Sequence, residues 1–267
     1  MTRIDIDDRG GPGVALPVED NPESIVMASK DHGVLMIKQS LSLGSACLLA
    51  LLPAPALAKE KVAVSPEQVA ELYLGIFVNE DLAKAARLNE LLGPAVTGGD
   101  SINVTEVSKM SDTLAAQMSS SMLEGMPENI QAGLKGPFTR MTKAVLGAVK
   151  RSQCRATGTT MTDNESIKGQ KIATVSYDCA VVDAVPGLVA LQRSGSLPPK
   201  DGPPTAAAID AIAQIFSTAP LARHATGTMR LYSNDDRTLW YTGSPEEPYG
   251  EVLQAVAGQI RELMEKS

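Results

Sequence analysis

Between Lys59 and Ser267 the side chains able to do chemistry are few: Cys154, Cys179, the single histidine His224, a methionine row, and the acidic pairs Asp235-Asp236 and Glu246-Glu247. A Ser-His-Asp or Cys-His catalyst in this stretch has to use His224, and no G-x-S-x-G nucleophile turn accompanies it. A histidine at the mouth of a strand is the plainer reading. Zinc needs several His, Cys or carboxylate ligands in one place. One histidine and two cysteines committed to each other leave too few, so neither a metal nor a cofactor is expected. Active dithiols sit in C-x-x-C at a helix start, which lowers the thiol pKa. Cys154 and Cys179 are far apart and lie in strand-like sequence, which points to a structural disulfide.

Met118, Met122 and Met126 continue a row begun by Met110 and Leu114. Thioether clusters bind soft Cu(I), but methionines at i, i+4, i+8 are also an ordinary buried helix face. The core reading is the expectation. Paired carboxylates can serve a glycosidase, yet Asp235-Asp236 has the composition of a hairpin turn and Glu246-Glu247 that of a helix start. No Gly-rich phosphate loop or dinucleotide fingerprint occurs.

The compartment decides how the cysteines are read. Met36–Ala58 has the form of a signal peptide: Lys38 as a basic n-region, the uncharged run Leu41–Leu52, Pro53 and Pro55 as breakers, and Ala56-Leu57-Ala58 for a leader peptidase. The run is short for a membrane span. Cleavage after Ala58 leaves residues 59–267 as one mature domain, periplasmic or secreted. Two alternatives stand beside it. Gly44-Ser45-Ala46-Cys47 resembles a lipoprotein box, with Gly44 where a branched apolar residue is usual, and an uncleaved anchor is the other. Membrane attachment is expected only through such a leader. Residues 1–35 are acidic, carry Gly and Pro, lack periodicity, and are expected to be disordered or an extension ahead of a start at Met36.

The chain carries 24 Lys and Arg against 31 Asp and Glu, a net charge of -7, with no dense basic run. Aromatics make up only 3%, so both phosphate contact and base stacking lack material, and nucleic acid is not an expected partner.

Ser65-Pro66-Glu67-Gln68 is a capping box with Pro at the first helical position. Val69, Leu72, Tyr73, Ile76 and Phe77 follow at helical spacing, and Asn79-Glu80-Asp81 restarts the pattern through Leu92. Longer helices are expected over Asn103–Met126 and Glu128–Val149, the second kinked near Gly133, Gly136 and Pro137. From Ser152 the period changes to two. Gln153–Thr162 and Lys171–Asp183 read as a hairpin around Asp163–Gly169, with Cys154 opposite Cys179, Arg155 opposite Asp178, Thr157 opposite Ser176, Thr159 opposite Thr174 and Met161 opposite Ile172. That register turns Cys154, Ala156, Gly158, Ala173, Val175, Tyr177 and Cys179 to the core, and Arg155, Thr157, Thr159, Thr174, Ser176 and Asp178 outward.

Pro186–Pro204 reads as a long loop rich in Pro and Gly. A helix capped by Thr205 follows, then a second hairpin, Ala225–Tyr232 and Thr238–Thr242, and a last helix after Ser244-Pro245. The expected fold is α+β: two hairpins forming a four-stranded antiparallel sheet with helices on one side and a helical N-terminal part. The functional expectation is an exported, non-enzymatic envelope protein of inhibitor or immunity type that binds a protein or other envelope macromolecule. Leu188, Leu191, Arg193 and Lys200 of the loop, with Arg155 and Asp178, are the expected contacts. The alternatives are a periplasmic small-ligand carrier with a pocket at Val175, Tyr177 and Leu231, and a hydrolase using carboxylates.

Overall fold

The computed structural model describes residues 64–93, 101–197, 202–234 and 238–265. All belong to the second of the two units into which the chain divides, Leu57–Ser267. The leader, Cys47, Lys200, Asp235 and Asp236 lie outside the described residues.

Helix α1, Pro66–Asn79, starts as its sequence dictates: the Ser65 hydroxyl accepts from Gln68 N–H, and the Gln68 side chain accepts in return from Ser65 N–H. Glu80, at φ 53°, is in the left-handed region and turns the chain into α2, Leu82–Leu92. Its carboxylate accepts from the Ser111 hydroxyl and from Lys150 Nζ at 3.0 Å, tying this turn to the next two helices. Those are α3, Val104–Leu123, capped by Asn103, and α4, Glu128–Lys150, which contains Pro137. Asn79 then donates to the carbonyls of Lys150 and Ser152, where α4 gives way to the sheet.

The sheet is a four-stranded antiparallel meander in chain order: β1 Gln153–Asp163, β2 Lys171–Val182, β3 Leu221–Ser233 and β4 Trp240–Tyr241. Between the second and third strands stand α5, Val185–Arg193, and α6, Ala206–Thr218, the latter capped by Thr205 as its sequence requires. Helix α7, Glu247–Glu265, closes the chain. This is the expected α+β arrangement. The core lies between one face of the sheet and the helices, where Ala173, Val175, Tyr177, Cys179 and Val181 of β2 are all buried together with Met229 and Leu231 of β3.

The hairpin register holds only in its first half. Cys154 faces Cys179, Arg155 faces Asp178 and Ala156 faces Tyr177, but a bulge before Gly158 advances the partner by one. Gly158 then faces Ser176, Thr159 faces Val175, Thr160 faces Thr174 and Met161 faces Ala173. The pairs Thr157–Ser176, Thr159–Thr174 and Met161–Ile172 are thereby corrected, and Gly158 and Thr159 exchange faces. A bulge inserts one unpaired residue, so every later side chain on that strand reverses. Its structural consequence is at Thr159, which now turns to the helix-covered side of the sheet, where its buried hydroxyl has no hydrogen-bond partner among the described residues.

Gly227 shows why the sheet needs a missing side chain. It faces Tyr177 across β2 and β3. Tyr177, itself 1% exposed, passes over it to donate its hydroxyl to Glu251 of α7. Burial, and then the Glu251 carboxylate, push the phenol pKa upward. A Cβ at Gly227 would overlap both the Tyr177 hydroxyl and the Glu251 carboxylate. Gly227→Ala is therefore expected to cost about 2 kcal/mol in urea denaturation, as overpacking does. Adding Glu251→Ala to that variant should return part of the loss. Wild-type stability of the single variant would refute the account.

Candidate functional site

Strands β1, β2 and β3 present a second face that no described helix covers. Adjacent residues alternate between faces, so the partners of buried Val175 and Tyr177 leave Thr174, Ser176 and Asp178 of β2 pointing away from the core. Their neighbours on β3 are Arg230, Thr228 and Thr226. All three are exposed, as is His224 further along the strand. On β1 the corresponding positions are Thr160, Gly158 and Arg155.

The charged centre of this face is Asp178. Its carboxylate lies 3.7 Å from the Arg155 guanidinium on one side and 3.0 Å from His224 Nδ1 on the other. The Asp178 side chain is 18% exposed, whereas Arg155 and His224 are 74% and 65% exposed. Arg155 is directly opposite it in the ladder, and His224 is reached diagonally, two residues from Thr226, the direct partner of Asp178 on β3. An aspartate on Nδ1 is how a catalytic histidine is oriented. Among the described residues, however, no hydroxyl is hydrogen-bonded to the His224 ring, and Arg155 and His224 are both largely exposed. The arrangement is a largely buried carboxylate between an exposed guanidinium and an exposed imidazole, flanked by hydroxyls. At the far end of the same face Tyr232 and Tyr241 pair across β3 and β4 with ring centroids 6.1 Å apart.

Comparison with known proteins finds no matching family model, no matching curated protein and no matching solved structure. Function has to be argued from the site.

The other expected contacts are scattered. Leu188 is 1% exposed and belongs to the core, which corrects its expected place on a docking loop. The stretch from Val185 to Arg193 is helical, and Leu188 is the residue it buries. Leu191 is half-buried and Arg193 exposed in the last turn of that helix. Val175, Tyr177 and Leu231, expected to line a pocket, are packed within the core. Glu246 and Glu247 are both exposed at the start of α7. Among the described residues no group of three or more His, Cys, Asp or Glu is placed to hold a metal, and no helix is long and apolar enough to cross a membrane.

The methionine row is displaced from the centre of its helix face. The fully buried residues of α3 are Val107, Ala115, Ser119 and Leu123, while Met110, Leu114, Met118 and Met122 are half-buried. Small residues sit where α3 lies closest to α4, with Ser119 Oγ 3.5 Å from Thr142 Oγ1. Met118 and Met122 are left at the margin, where they join Met141 of α4 along an apolar groove.

Proposed function

We propose that the chain is an exported envelope protein, without catalytic activity, that binds another macromolecule through the open face of its sheet. The observation that carries this is the Arg155–Asp178–His224 row on a sheet whose opposite face carries the hydrophobic core. An antiparallel sheet tolerates one wet face; charge of both signs fixed at its centre is what gives an interface its register and selectivity. The bridge between Cys154 and Cys179 supports an oxidising compartment, since such bonds form and persist outside the cytosol. An inhibitor or immunity-type role for a protein partner accounts for both features.

The test is capture from an envelope extract on the immobilised, oxidised protein. Arg155→Ala with Thr228→Arg is expected to abolish recovery of the partner while leaving stability to unfolding within about 0.5 kcal/mol of wild type. Arg193→Glu on α5 is the control that should not. Equal recovery by the sheet-face variant, or no partner with the wild-type protein, overturns the reading.

A further inference from the structure

Apart from the sheet face, α3, α4 and α7 leave a groove of about 230 Å³ between them. Its walls are Met118 and Met122 of α3, Met141 and Val145 of α4, and Ala257 and Ile260 of α7. Thr142 is the one neutral polar residue among the lining, and its hydroxyl hydrogen is already committed, donating to Phe138 O at 2.9 Å. Water gains little in such a place, because an ordered water needs several polar partners. The volume exceeds the roughly 150 Å³ in which an apolar cavity holds benzene. Methionine walls re-pack around chains of different shape.

The remaining lining residue is Arg261. It is exposed on α7 and forms no ion pair with a described residue, whereas its neighbour Glu262 is taken by Arg223 at 3.1 Å. An apolar groove with one uncommitted guanidinium matches a ligand with an apolar tail and an anionic head. We propose that this groove binds a single-chain anionic amphiphile, a medium-chain carboxylate, with its tail among the methionines and its carboxylate held by the Arg261 fork. Guanidinium is the natural partner for a carboxylate, since two parallel N–H groups meet its two oxygens. The site is separate from the sheet face and stands or falls independently of it.

Calorimetric titration of the disulfide-bonded protein with decanoate, below the concentration at which it self-associates, tests this. Saturable one-to-one binding is expected, about fifteenfold tighter than for octanoate, since each of the two extra buried methylenes raises affinity roughly fourfold. Arg261→Gln should weaken decanoate about tenfold and leave decanol unchanged. Ala257→Phe, which fills the groove, should abolish both. Because that variant risks disturbing the helices, the exposed Arg261→Gln carries the test by itself. Absence of saturable decanoate binding, or equal loss of decanoate and decanol on Arg261→Gln, overturns the proposal.

Discussion

Removing the bridge between Cys154 and Cys179 is expected to cost about 3.5 kcal/mol of stability. The two cysteines are 25 residues apart, and closing a loop of that length removes this much chain entropy from the unfolded state. The native state gives no reason for a larger loss. The cysteines are already opposite one another in the ladder, and Cys179 is fully buried beside Val181. Cys154→Ala with Cys179→Ala is the cleaner experiment, because a serine at Cys179 would bury a hydroxyl. Urea unfolding of that variant, and of the wild-type protein with and without reductant, should show the same displacement of the midpoint. A wild-type midpoint that reductant does not move, with both thiols shown to be free, would refute it. The position of the bridge has a second consequence. It pins the pairing two residues before the bulge, so the wet-face row of Arg155 and Asp178 stays in register whatever happens further along β1.

That bulge also marks where the sequence stops being readable. Capping signals were legible because each is a local hydrogen bond: Ser65 with Gln68, and Thr205 with Ala208. The Cys154–Cys179 and Arg155–Asp178 pairs were legible because both are complementary. Past Ala156, strand β1 is Thr-Gly-Thr-Thr-Met-Thr, with hydroxyls on both faces, so an alternating pattern cannot report which residue is the extra one. The segment after Asp183 misled for a different reason. Pro186 and Gly187 read as loop residues, yet Pro is tolerated in a first helical turn. Gly187 is small for packing, since a Cβ there would come within 2.8 Å of the Ile215 Cγ2 on α6. His224 was visible as a lone histidine, but its meeting with Asp178 was not. Strands β2 and β3 pair across two intervening helices, and no turn signal sets that register. Arg261 and Met141 join the groove through helix packing alone, which leaves no periodic trace.

Replacing Gln259 is expected to cost nearly as much as losing the disulfide. Strand β2 ends at Val182, and the backbone there leaves the ladder before α5 begins. Asp183 N–H finds Pro220 O at 2.8 Å across to β3. The carbonyl of Val182 and the N–H of Ala184 are buried with no strand to take them, and the Gln259 amide on α7 serves both. Its Nε2 donates to Val182 O at 2.9 Å, and its Oε1 accepts from Ala184 N–H at 2.7 Å. The side chain is fully buried. Gln259→Leu fills the same space and leaves a donor and an acceptor unpaired, a loss of about 3 kcal/mol. Gln259→Glu separates shape from hydrogen bonding. Its carboxylate can still accept from Ala184 but has no proton for Val182 O, and burial raises its pKa above the unfolded value. The folded state then binds a proton more tightly than the unfolded chain, so the variant should gain stability as pH falls and lose it as pH rises through the raised folded pKa. Gln259→Leu has no group there to titrate and should show no such gain over wild type. If Leu at this position is as stable as Gln, the two backbone groups have other partners and α7 is held to the sheet by its apolar face alone.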